Sequence, residues 1–200
     1  MDYSFKKFQK NAIIRFLALD KYNYIKENIY KCDVSNDIDF QTKFNSFYRV
    51  RRNKKWRNVF FNYFEKVKLN KNITFEEILK YMYENTEDHN IEASFCSKML
   101  STINPNMPIW DQFVLDNLKL KVDGKTKEDR LKNTIETYYK ILKIEQEKLK
   151  DKNVQNSIKE FREYFPEYNL SDIKMLDYIL WNTRDNDFKK GDNNEWKDKQ

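Results

Sequence analysis

Residues 93–118, ASFCSKMLSTINPNMPIWDQFVLDNL, hold the side chains best placed for chemistry: an amine, Lys98, and a carboxylate, Asp111. Phe95, Met99 and Ile103 recur every four residues, with Cys96 and Leu100 beside them, so this stretch is a helix with one buried face. Pro105 and Pro108 stop that helix and set the approach to the next. Asp111 then falls in the first turn of a new helix, where exposed backbone N–H groups and the helix dipole favour a carboxylate. Such an acid is either a structural cap or a reactive group, and local pattern allows both.

A second set of residues suits phosphate. Arg49, Arg51, Arg52, Lys54, Lys55 and Arg57 form the densest basic run, FYRVRRNKKWRN. On one continuous helix these six would point in nearly every direction, so a break near Asn53 is expected, with the cations fanning out from a turn. That turn is a grip on phosphates or a solvated connection paired with nearby acids, two readings of equal weight. Other chemistry finds less support. His89 is the single histidine and no catalytic role is expected of it; Cys32 and Cys96 make no zinc site or disulfide framework. No metal and no cofactor are expected, and Gly124 and Gly191, the only glycines, leave no Gly-rich phosphate loop. Asp116 follows Asp111 by five residues and points elsewhere, so no two-carboxylate site forms. Asp177, among the apolar residues of DIKMLDYILW, reads as a buried ion-pair partner of Lys174 or Arg184.

The elements that must position these groups are helices. Glycine and proline are scarce and 16% of residues are aromatic, which argues against a turn-rich barrel or sandwich and for an all-α, compact multi-helix domain over residues 1–184. A helix is expected over residues 4–20 and a shorter one from Tyr24 to Tyr30, followed by a capping loop, CDVSNDID. Phe40, Phe44, Phe47 and Tyr48 form one helical stripe, and Trp56, Phe60, Phe64 and Val67 another that packs on it. Thr74 and Glu77 form a capping box for a helix ending near Asn85. VDGK is a turn before a long helix from Thr126 to Lys148; DKN breaks it, a helix over 154–165 ends at Pro166, and Ser171 caps the last one. Residues 185–200 are polar, with isolated Phe188 and Trp196, and are expected to form a mobile tail.

The formal charge of +6 suits a phosphate-bearing partner without demanding one. No segment has the apolar run of a signal peptide or membrane span, so a cytoplasmic location without membrane contact is expected.

The stretch SKMLSTINPNMPIWDQFVLDNL, with its order of helix, short linker, proline and acid opening a helix, resembles the helix-hairpin-helix DNA glycosylases, and in particular bacterial 8-oxoguanine DNA glycosylase-like proteins. The resemblance implies a DNA-binding protein, on duplex or single strands, that excises a damaged or modified base. It implies that Asp111 is the catalytic acid and makes Lys98 the candidate amine. Breaking an N-glycosidic bond builds positive charge on the sugar, which a carboxylate stabilises, and an unprotonated lysine can attack the sugar to form a Schiff base. Trp110 and Trp56, the aromatics nearest Asp111 and the cations, could stack a flipped base. The segment before the helix, NTEDHNIEAS, lacks the glycines with which the superfamily's hairpin approaches phosphate. That departure favours the alternative, a non-catalytic nucleic-acid- or protein-binding helical module, for instance in phage defence or counter-defence.

Overall fold

Local capping and aromatic stripes account for most of the architecture. The computed structural model describes residues 18–182, and the regular elements of that span are all α-helices. The first, α1, covers residues 18–28 of the described chain. It is followed by α2 (Ile38–Tyr48), α3 (Lys54–Val67), α4 (Phe75–Asn85), α5 (Ala93–Ile103), α6 (Gln112–Leu118), α7 (Lys127–Lys148), α8 (Lys152–Tyr164) and α9 (Asp172–Asn182). The separate helix expected over Tyr24–Tyr30 is instead the continuation of α1. Leu19, Tyr22, Ile25 and Ile29 are all buried at spacings of three and four, one uninterrupted stripe with no breaker inside it. The rest of the expected helix over 4–20, and the expected tail over 185–200, lie outside the described residues.

The caps follow the side chains that can supply them. Asp37, Asn53 and Asp151 accept backbone N–H groups at the starts of α2, α3 and α8. Thr74–Glu77 and Thr126–Asp129 close full capping boxes at α4 and α7. The break at Asn53 divides the basic run. Arg49, in the left-handed conformation at φ 53°, ends α2, and α3 restarts after Asn53.

Two apolar clusters share these helices. One joins α2, α3, α4 and α5 with Ile25, Ile29 and Tyr138, around fully buried Phe40, Phe44, Phe60 and Phe64. Phe44 lies 5.6 Å from both Phe61 and Phe64, edge to face, the arrangement that aromatic quadrupoles favour. The second joins α6, α8 and α9 with Leu19, Tyr22 and Ile141. Helices α1 and α7 therefore contribute to both clusters, and Phe47 and Trp110 pack against both. Among the described residues no helix is long and apolar enough to cross a membrane.

The connection between α5 and α6 runs along this seam. Pro108 O accepts the Tyr138 hydroxyl at 3.0 Å, the Ile109 N–H donates to Asp177 at 3.3 Å and the Trp110 N–H donates to Ser97 Oγ at 2.9 Å. Pro105 O accepts the Ser171 hydroxyl. The segment is tied to α5, α7 and α9, which fixes where Asp111 emerges.

Candidate functional site

Lys98 extends from α5 into a half-buried position, where its Nζ donates to Ser94 Oγ at 3.0 Å and to Tyr48 O at 3.3 Å. Tyr48 is the last residue of α2, so the amine lies against the start of the basic turn. Burial lowers the proton affinity of Lys98; Asp111 opposes that through space and Arg49 adds to it. Asp111 and Arg49 are thus near enough to act on the Lys98 charge, the first favouring the ammonium and the second disfavouring it, with no direct ion pair between Lys98 and Asp111. The Asp111 carboxylate accepts the Phe113 N–H at 2.9 Å as the N-cap of α6.

Behind this pair lies a group of charges that sequence patterning left among structural ion pairs or solvated faces. Glu145 of α7 and Lys174 and Asp177 of α9 are 0%, 2% and 6% exposed. The Lys174 ammonium is enclosed by rings, with Nζ 4.8 Å from the centre of Tyr22, 5.5 Å from Tyr178, 5.7 Å from Tyr48 and 5.9 Å from Phe47. Burial brings its pKa down to about 8, and the charge of Lys98 pushes the same way, against Asp177 and Glu145. Burial raises Asp177 to about 7, with Asp111 adding to the rise, while Lys174 and the Ile109 N–H oppose it. Glu145 is pushed well above the usual carboxylate range by burial and then by Asp177, and neither of its oxygens has a hydrogen-bond partner. An ionised carboxylate in that state would be very costly, so the neutral acid is favoured. Asp177 is buried, but the anticipated ion pair with Lys174 is not formed among the described residues: the two act on each other only through space, and Asp177 Oδ1 accepts the Ile109 N–H instead; Arg184 lies outside the described residues.

One signal could have revealed Glu145. It follows Thr134, Tyr138 and Ile141 on the buried stripe of α7, at a position where helical spacing requires an inward side chain. Lys174 had no comparable mark, because its neighbours in the fold come from α1 and α2.

The basic run is split in its roles. Arg52 pairs with Glu92 at 2.6 Å at the foot of α5 and lies over the Trp56 and Phe95 rings, so it fastens the α2–α3 turn to α5. Lys55 pairs with Glu87 at 2.8 Å between two exposed side chains, an attraction worth little in water. Arg49, Arg51 and Lys54 are exposed and form no ion pair among the described residues, and Arg57 is half-buried. The two tryptophans also differ. Trp56 is 7% exposed, stacked on Phe60 at 5.1 Å and edged by Phe95, so its faces are taken by the core and no base can stack there. Trp110 stays half-buried beside Asp111 and bridges the two clusters.

Other features stay outside this arrangement. His89, at φ 44°, donates from Nδ1 to Tyr83 O at 2.8 Å, and Asp116 is an exposed acceptor for Gln112. A surface depression between α7 and α8 is formed by other residues, including Lys143, Glu147 and Asp151. Among the described residues no cluster of three or more His, Cys, Asp or Glu side chains could hold a metal ion. Comparison with protein-family models, with curated proteins and with solved structures finds no match to this chain.

Proposed function

We propose that this protein binds DNA through the α2–α3 turn and acts on the N-glycosidic bond of a damaged or modified base. The observation that carries the reading is the half-buried Lys98 amine, which donates to the last carbonyl of α2 at the edge of that turn and feels the charges of Asp111 and Arg49. A partly desolvated amine of lowered proton affinity, with a carboxylate and a cation near enough to act on it, is a set of groups such a reaction can use. The Lys98 lone pair would form a bond to the anomeric carbon while the glycosidic bond electrons leave with the base, which takes up a proton. The Asp111 carboxylate would stabilise the positive charge built on the sugar. Arg49, Arg51 and Lys54 are the side chains for the flanking phosphates, and Trp110 is the ring beside the reacting sugar. On this reading the loop over residues 86–92, between α4 and α5, would be the counterpart of the superfamily's hairpin.

Two observations favour a second reading. Asp111 already accepts its own helix's Phe113 N–H, and Trp56 is closed off in the core, as in a binding module without chemistry. The experiment that separates the two is incubation with duplex and single-stranded oligonucleotides carrying oxidised, alkylated and deaminated bases, developed with alkali and separately with borohydride. A borohydride-trapped adduct supports the amine mechanism. Strand breaks after alkali alone support hydrolysis assisted by Asp111. Salt-sensitive binding without base release moves the assignment to a non-catalytic binder, and absence of binding removes the DNA reading.

A further inference from the structure

Two of the six cations in the basic run are held by carboxylates, and both carboxylates come from one segment, residues 86–92 between α4 and α5. The pairs span 32 and 40 positions of sequence, so tertiary packing and not a helical register brings them together. The segment is itself anchored. The Thr86 hydroxyl donates to Met82 O at 2.7 Å, the His89 N–H closes a turn on Thr86 O at 3.2 Å, and the His89 ring meets Tyr83 O at 2.8 Å. His89 ends that turn at φ 44°, a left-handed backbone that a residue with a side chain keeps only where its surroundings hold it. Glu87 and Asp88 are the exposed central residues of the turn.

The two pairs differ in what separating them entails. Glu92 is 6% exposed and Arg52 lies over the Trp56 and Phe95 rings, so parting them strands a buried carboxylate. Lys55 and Glu87 meet at 2.8 Å with side chains 78% and 69% exposed, and water solvates each partner once they part. The first pair is a fixed foot for the segment and the second is an exchangeable contact. We propose that Glu87 is an internal substitute for a phosphate, withholding Lys55 from the DNA that the α2–α3 turn binds. The inference rests on the DNA-binding reading. Lys55 lies in the first turn of α3, just after the Asn53 break, alongside Arg49, Arg51 and Lys54, which form no ion pair among the described residues. The Glu87 carboxylate accepts from Lys55 Nζ as a phosphate oxygen would, so a strand that uses Lys55 must displace it, against the added repulsion of Asp88. Phosphate contacts add affinity without sequence information. Withholding one of them lowers attachment to undamaged DNA, which makes Glu87 a specificity-determining residue.

The test is fluorescence anisotropy of a labelled, undamaged duplex with the full chain, over a range of salt, for wild type, Glu87→Gln, the double variant Glu87→Gln with Lys55→Gln, and Glu163→Gln. The replaced side chains are exposed and asparagine-like in size change, so the fold is kept. Glu163 is the matched control, because it faces Lys159 in another exposed pair, on α8, and its loss changes net charge equally. Glu87→Gln is expected to bind about two- to fivefold more tightly. Its plot of log K against log salt should steepen by roughly 1, for one further phosphate neutralised. The double variant should return to the wild-type affinity and slope, and Glu163→Gln should stay there. Wild-type binding with no gain in Glu87→Gln overturns the proposal and leaves the DNA reading standing. A gain that survives in the double variant, or an equal gain in Glu163→Gln, overturns it too, because the effect then does not run through Lys55. Binding by Glu87→Gln where the wild type shows none supports both the withheld cation and the DNA reading, and no binding by any of the four proteins removes both.

Discussion

Replacing Asp177 by asparagine changes almost nothing in shape and removes a titration from the centre of the fold. In the folded chain burial raises this carboxyl from its ordinary 3.8 to about 7. A raised acid contributes stability that is fully present below the unfolded value and is lost as pH climbs through the folded one, so the wild-type protein loses stability between about pH 4 and 7. The displacement corresponds to a ceiling of roughly 4 kcal/mol; attraction to Lys174 shares part of it, and roughly 2–4 kcal/mol is the expected range. The asparagine oxygen can still accept the Ile109 N–H, so the α5–α6 connection keeps its tie to α9. The assay is chemical denaturation of both proteins across this pH range, read as the difference between their unfolding free energies. Taking the difference cancels the opposite slopes from Asp33, Glu77 and Glu147, whose hydrogen bonds hold them below the usual range. The two proteins should be close in stability near pH 4 and diverge in favour of Asp177→Asn toward neutrality. Parallel curves across that range would refute the claim that Asp177 is a buried acid stored at a cost to the fold.

Other outcomes follow from the same geometry. Asp111→Asn keeps an N-cap oxygen and should change stability by no more than about 0.5 kcal/mol, while Asp111→Ala should cost about 1 kcal/mol in thermal denaturation; base release that survives unchanged in Asp111→Asn ends the catalytic assignment. Neutralising Arg49, Arg51 and Lys54 together should weaken DNA binding and lower the slope of log K against log salt by roughly 2–3, measured by fluorescence anisotropy. Arg52→Ala should destabilise the fold by about 1–3 kcal/mol, because it strands buried Glu92; the effect is reduced by the partial exposure of Arg52 and is readable as a lower Tm without DNA. On the alkaline side, Lys174 is depressed from 10.5 to about 8, so its contribution to stability is present above 10.5 and is lost as pH falls through 8; Lys174→Met should flatten that limb in denaturation experiments.

Much of the fold is written locally. The Thr74–Glu77 box, the Asn53 break in the basic run, the Thr126 start of α7 and the stripe from Phe40 to Tyr48 each depend on residues a few positions apart, and each is present. The helical class and the burial of Cys96 follow from the same short-range periodicity. The end of α1 was less legible, because the tyrosines and lysines between Leu19 and Ile29 obscure an apolar stripe that packing makes plain.

What tertiary structure decided is which charges meet. Lys98 and Asp111 lie thirteen residues apart on different helices, and the α5–α6 connection, anchored at Ser97, Tyr138 and Asp177, sets them near enough for the charge of Asp111 to act on the amine. Arg52 and Arg51 are adjacent in sequence, yet one fastens Glu92 and the other faces solvent. Lys174, Asp177 and Glu145 carry the types that normally mark a solvated surface, and they are buried because two apolar clusters close over the helices that bear them. Hydrophobic periodicity is a property of neighbours along the chain and can be read there. Electrostatic coupling depends on distances between elements far apart in sequence, and those distances exist only once the helices have packed.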